Sequence, residues 1–202
     1  CLIAPGRLLN QQGSFFRVYT PFRRACLKQL ENMDLSPLPA PKRRNANIEP
    51  APATRWSAPA VEASVYWPAG EKEAHSRLKS FINKRIRNYK DQRDLPALDA
   101  TSTLSPYLAV GAISLRQCLH AARSAGEGLL EPGQPGIFTW INELLWREFY
   151  RHIAYGFPEV CRHKAFQPDT DMIPWRGVSP LFEAWCEGQT GYPLVDAGMR
   201  QL

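Results

Sequence analysis

Apolar positions recur every three or four residues over most of the chain, and the intervals between those runs are filled by Pro, Gly and short polar stretches. The cleanest stripe is Ala74, Leu78, Phe81, Ile82, Ile86 and Tyr89, which predicts one helix over 70–95, with Glu71 and Glu73 in its first turn and Leu95-Pro96 as its stop. Ser114 and Gln117 make a capping-box pattern ahead of a helix over 115–123, whose Leu115, Cys118, Leu119 and Ala122 face a core and which Gly126 ends. A further helix over 140–155 stops at Gly156, with Pro158 beyond. On it Trp140, Glu143, Arg147 and Arg151 share a side with Leu144, while Ile141, Leu145 and Phe149 take the opposite side. Such a helix is apolar nearly all round and predicted to be buried, so its ionised residues need partners. Ser179-Pro180 opens another helix that ends near Gly188. Pro193 opens the last one, with Leu194, Val195, Ala197 and Leu202 available for packing and Asp196 and Arg200 spaced four apart.

Nearer the start, residues 15–19 have strand-like composition, and Phe22, Cys26, Leu27 and Leu30 predict a short helix with Thr20 as N-cap and Pro21 in its first turn. Between positions 34 and 68, prolines at 37, 39, 41, 50, 52, 59 and 68 interrupt every period, which predicts a partly extended linker. Its Lys42-Arg43-Arg44 run reads as a solvated stretch. The body of the chain is mainly α.

At 202 residues and 44% hydrophobic the chain can bury a core. No run approaches eighteen apolar residues and the first residues lack the order of a signal peptide, so a cytoplasmic protein is expected, with no membrane partner. Five scattered cysteines without a CxxC pair read as reduced thiols, and no metal site is indicated. The chain starts without Met and stops within an apolar-periodic segment that has no C-cap, which reads as a piece of a longer protein. A net charge of +6 is concentrated in residues 1–100, which carry 17 basic and 9 acidic side chains against 8 and 10 in the remainder. That asymmetry suits a polyanion, although many proteins of this pI bind none.

The segment TSTLSP at 101–106 sets three hydroxyls before a proline suited to a helix start, with Ser105 as N-cap. Such a segment holds a phosphate, or simply caps its helix.

Taken in order, the TPF motif at Thr20, TSTLSPYLAVGAIS from Thr101, NELLWREFYRH from Asn142 and TGYPLVDAGMRQL from Thr190 resemble the photolyase/cryptochrome family, most closely its bacterial class I cyclobutane pyrimidine dimer branch. The resemblance implies a helical FAD-binding domain, truncated and occupying 70–202. Before it would come the end of an N-terminal α/β antenna domain at 1–33 and a Pro-rich linker at 34–69. It implies FAD as cofactor, with Tyr89, Thr101, Ser102, Thr103, Leu104, Ser105 and Trp140 holding it. Arg93, Glu143, Trp146 and Arg147 would meet DNA and its lesion, and Trp175 would end a tryptophan relay that photoreduces the flavin. Glu143 and Trp175 would then be the residues that serve the chemistry directly. The activity implied is light-dependent repair of pyrimidine dimers in DNA by a monomer that also carries a folate or deazaflavin antenna. Thr103 stands where some relatives have a basic residue and Leu115 where many have proline. The alternatives are a cryptochrome-type flavin photoreceptor and a helical nucleic-acid-binding module without flavin.

Overall fold

The structure, a computed structural model, describes residues 1–40, 66–128 and 134–201 of the chain. Among them all regular structure is helical: α1 (Tyr19–Glu31), α2 (Glu71–Lys84), a 3-10 turn (Ile86–Asn88), α3 (Tyr89–Gln92), α4 (Ser105–Val110), α5 (Leu115–Ala125), α6 (Pro135–Gly156), two 3-10 turns (Pro158–Arg162 and Pro168–Met172), α7 (Pro180–Cys186) and α8 (Pro193–Gln201). No described helix is long and apolar enough to cross a membrane. Two compact units result, Cys1–Gly156 and Phe157–Leu202.

In the first unit α6 is the axis, and α1, α3, the first 3-10 turn and α5 all lie against it. Its 22 residues bury Ile137, Trp140, Ile141, Leu144, Leu145, Phe149 and Ile153, as expected of a helix apolar nearly all round. Each such side chain contributes about 1.5–3 kcal/mol by leaving water. α1 answers with Phe22, Cys26, Leu27 and Leu30, and the Phe22 ring meets Phe149 at 5.2 Å and His152 at 5.1 Å. All five cysteines are free, and burial pushes the Cys26 and Cys118 thiols up to about 12.

The buried charge on α6 is Glu148, fully enclosed, whose carboxylate accepts from the amides of Leu2 and Ile3 at 2.7 and 3.0 Å. Burial opposes its ionisation, but the His152 ring and the Ile3 and Leu2 amides hold it below the usual carboxylate range. This pair ties the first residues of the chain to α6.

Three expectations are corrected. Residues 15–18 have no partner strand among the described residues; α1 begins at Tyr19 with Val18 as an N-cap that makes no side-chain bond, which leaves Thr20 inside the first turn. The helix expected over 70–95 breaks at Arg85, where φ −126° and ψ −27° leave the helical region before the 3-10 turn. Two contacts fix that break: Arg85 pairs with Asp99, and a Cβ built on Gly136 of α6 would sit 2.3 Å from the carbonyl oxygens of Ile86 and Arg87. Backbone meets backbone there, which only glycine allows. The stripe nevertheless survives the break, with Ala74, Leu78, Phe81, Ile86 and Tyr89 buried.

The third correction lies in the second unit, where Leu194 and Val195 stay exposed instead of packing. Asp196 is buried, and its carboxylate accepts from the Thr190 amide at 2.8 Å, the Thr190 hydroxyl at 2.5 Å and the Gly191 amide at 3.0 Å. Arg200 donates to the Asp196 carbonyl oxygen and not to its side chain. The Ser114–Gln117 capping box and the Ser179 cap form as expected. Lys42, Arg43 and Arg44 lie outside the described residues.

Candidate functional site

A cleft of about 570 Å³ opens between α1, α3 and α6. Its floor is Glu143, ion-paired with Arg93 from the turn after α3; the two side chains remain 39% and 31% exposed, so the pair is reachable. The hydrogen bond to Glu143 holds the Arg93 guanidinium more firmly protonated. Arg93 also lies over the Tyr89 ring at 5.8 Å. Tyr89 in turn meets Phe81 edge-on at 5.6 Å, and Phe81 packs against Trp140 at 4.9 Å. Burial raises the Tyr89 hydroxyl above its ordinary range.

One wall of the cleft is Trp146, half-buried and stacked on Tyr19 of α1. Asn142, one turn earlier on α6, is tied to α1 by two residues: the Tyr19 hydroxyl donates to its carbonyl oxygen at 3.0 Å, with Oδ1 also within 3.4 Å, and Arg23 Nε donates to its Oδ1 at 2.6 Å. Lys90 and Thr139 complete the rim. Cations from α1 and α3, a carboxylate and an indole plate thus share one opening. That set suits a flat heterocycle carried on a phosphate chain: the indole stacks on the ring, the carboxylate accepts from its imide edge, and the cations meet phosphate.

The single wall of Trp140, Glu143, Arg147 and Arg151 expected from spacing does not form, because α6 is wedged between neighbours that split that side. Trp140 is buried in the core, and Glu143 faces the cleft. Arg147 turns away and donates to the Leu108 carbonyl oxygen at 2.8 Å, tying α6 to α4. Arg147 and Arg151 line a separate cavity of about 440 Å³ with Arg116, and burial, followed by Arg151, lowers the Arg147 pKa.

In the hydroxyl-rich segment the helix starts one residue early: Leu104 is the N-cap, without a side-chain bond, and Ser105 is the first residue of α4. Leu104 is buried and anchors the segment, whereas Thr101 and Ser105 are exposed and Ser102 is half-buried. Thr103 adopts φ 51°, unusual for a β-branched residue. Its hydroxyl donates to the Ser102 carbonyl oxygen at 2.8 Å and accepts from Arg77 Nη1 at 3.1 Å. Arg77 is itself ion-paired with Glu73 at 2.8 Å and donates to the Tyr66 carbonyl oxygen, so it braces Thr103, and the hydroxyls of Thr101, Ser102 and Ser105 are the donors that fit a pyrophosphate. Trp175 lies between the last 3-10 turn and α7 and is 83% exposed.

Sequence reasoning missed Tyr19, Arg23, Asn142 and Arg77. A signal for the first two existed, since Tyr19, Phe22, Arg23 and Cys26 follow helical spacing once the start of α1 is moved back.

Residues 140–202 match the family model described as the FAD binding domain of DNA photolyase. Over its whole length the chain is 39% identical to the deoxyribodipyrimidine photo-lyase of Escherichia coli, and it is 38% identical, over 98% of its length, to that of Agrobacterium fabrum. It covers 43% and 42% of those two proteins, so it spans about two-fifths of the length of such relatives. Among solved structures, a bacterial class III photolyase from Agrobacterium tumefaciens superposes with a TM-score of 0.75 at 37% identity, over 99% of this chain and 42% of that one. A Synechocystis cryptochrome superposes with a TM-score of 0.57 at 32% identity, over 68% of this chain and 28% of that one.

Proposed function

We propose that the chain is part of a photolyase/cryptochrome family protein, and that this protein repairs pyrimidine dimers in DNA by light-driven electron transfer from reduced FAD. The observation that carries this reading is the cleft, in which Trp146, Glu143 and Arg93 stand together and open to solvent.

Thr101, Ser102 and Ser105, with Arg77 behind Thr103, would hold the FAD pyrophosphate, and Tyr89 would contact the flavin side. Trp140 would support that side from beneath Phe81. When bound, reduced and photoexcited, FAD supplies the electron that opens the cyclobutane ring and takes it back. The chain's own residues do the rest. Arg23, Lys90 and Arg93 draw in the phosphate backbone, a sequence-independent attraction that weakens with salt. Trp146 stacks on the extruded lesion, which is cheaper to unstack than intact DNA. Glu143 orients it by hydrogen bonding at its polar edge, and Arg93 holds Glu143 in place. Arg147 acts at a distance, by fixing α4 and its hydroxyl segment to α6. Residues 70–202 would form part of the helical FAD-binding domain, residues 34–69 the linker, and residues 1–33 the end of an α/β antenna domain.

Binding in the dark tests this reading. Flavin-loaded protein, expressed from its complete reading frame, should prefer an oligonucleotide with one pyrimidine dimer over the undamaged sequence. Trp146→Ala should erase most of that preference, because base–aromatic stacking is worth about 1–3 kcal/mol. Equal affinity for both oligonucleotides in the unmodified protein would point to the photoreceptor reading.

A further inference from the structure

One face of Trp146 is covered before any ligand arrives. The Tyr19 ring lies on it with 3.5 Å between centroids and 11° between planes, a face-to-face contact. Tyr19 is not a loose side chain swung over the indole. Its hydroxyl donates to the Asn142 carbonyl oxygen on the helix that carries Trp146, and its ring meets Phe149 edge-on at 5.8 Å. Its backbone begins α1, whose Phe22 and Cys26 are fully buried one and two turns on. Arg23 adds a second tie from the same helix to the Asn142 side chain. Tyr19 is therefore framework, and the indole rests on it.

We propose that Tyr19 is a positioning residue for lesion binding: it backs the Trp146 indole, whose other stacked neighbour, the exposed Tyr150, lies farther off at 5.7 Å, so that the part of the indole that lines the cleft is presented already ordered to an extruded pyrimidine. The inference rests on Trp146 being the stacking wall of the lesion cavity. Trp146 turns about two side-chain torsions, and an unbacked indole would have to be immobilised on binding. The backing ring removes that cost in advance. Tyr19 itself touches no base.

The test uses flavin-loaded protein from the complete reading frame and compares the dark affinities for dimer-containing and undamaged oligonucleotides of one sequence. Tyr19→Ala should weaken dimer binding about three- to ten-fold, the range expected for immobilising one large side chain. Affinity for undamaged DNA and flavin absorbance should not change. Tyr19→Phe, which keeps the ring and loses only the bond to Asn142, should stay within about two-fold of the unmodified protein. The double variant Tyr19→Ala/Trp146→Ala should bind the dimer no more weakly than Trp146→Ala alone, because backing has no value without the indole.

If Tyr19→Ala melts early or loses flavin, Tyr19→Leu is measured in its place. It keeps the buried bulk without a ring face, and the same selective loss is expected. Tighter dimer binding by Tyr19→Ala would mean that the ring occupies the base's place, and would overturn the proposal. Unchanged binding, or an equal loss on both DNAs, would overturn it as well. If Trp146→Ala leaves dimer affinity unchanged, the lesion-cavity reading itself fails. If Trp146→Ala weakens it and Tyr19→Ala does not, only the positioning role is lost.

Discussion

Two acidic side chains of α6 are stabilised in opposite surroundings. Glu148 is sealed in the core and held ionised by backbone amides and His152, so it serves the fold. Glu143 sits at the open cleft against Arg93, where a ligand can reach it. Replacing Glu143 by Ala should lower repair efficiency by about ten-fold or more, since a hydrogen bond to a charged group contributes about 1.5–3 kcal/mol. Flavin content should stay unchanged, because Glu143 bonds to none of the hydroxyl segment; loss of flavin absorbance on purification would contradict the assignment. For Trp175, exposure to solvent is what the outer end of an electron relay requires. Trp175→Phe should leave FAD content and DNA affinity intact while blocking light-driven reduction of oxidised flavin, followed by absorbance under anaerobic illumination with an external electron donor. Normal photoreduction would remove Trp175 from the relay.

Among the elements, the junction of α6 with the 3-10 turn is the tightest. Gly136→Ala places a methyl group against two backbone oxygens that cannot swing aside, and should cost about 1–3 kcal/mol, typical of overpacking, read as a lower melting temperature. An unchanged melting temperature would show that α6 slides freely there. At the start of α8 the Thr190 hydroxyl, then the Thr190 and Gly191 amides, hold the Asp196 carboxyl below the usual range. A depressed folded pKa contributes stability that is complete above the unfolded value of about 4 and is lost as pH falls through the folded value. The protection of the Thr190 and Gly191 amides, taken relative to the intrinsic exchange rate at each pH, should therefore fall below pH 4, and Asp196→Asn should flatten that dependence; protection that does not change with pH would show that the carboxylate does not hold the turn. Helices were legible in the sequence wherever a stripe coincided with a chemical start or stop, as at Ser114 and Ser179 or at Gly126 and Gly156. The break at Arg85 was not, because its cause is Gly136, far along the chain. For the same reason Arg93 as the partner of Glu143, and Arg77 behind Thr103, escaped a reading confined to neighbours at helical spacing.

For the molecule as a whole, the uneven charge acquires a place. Arg23, Lys90 and Arg93 come from the basic first half of the sequence, while Glu143 and Trp146 come from the second half, and the fold of the first unit sets them around one cleft. On the proposed reading, the cations would gather polyanion and the later residues would select within it, which would divide general affinity from recognition of damage. The chain spans about two-fifths of the length of its relatives, so the decisive experiment uses flavin-loaded protein from the complete reading frame. Blue light is applied to that protein, with its flavin reduced, in the presence of an oligonucleotide carrying one cyclobutane dimer, and intact pyrimidines are counted. Light-driven repair requires dimer loss in the light, none in the dark, and a rate lowered by Glu143→Ala and by Trp146→Ala. Light that leaves the dimer unchanged while the flavin cycles normally would contradict it.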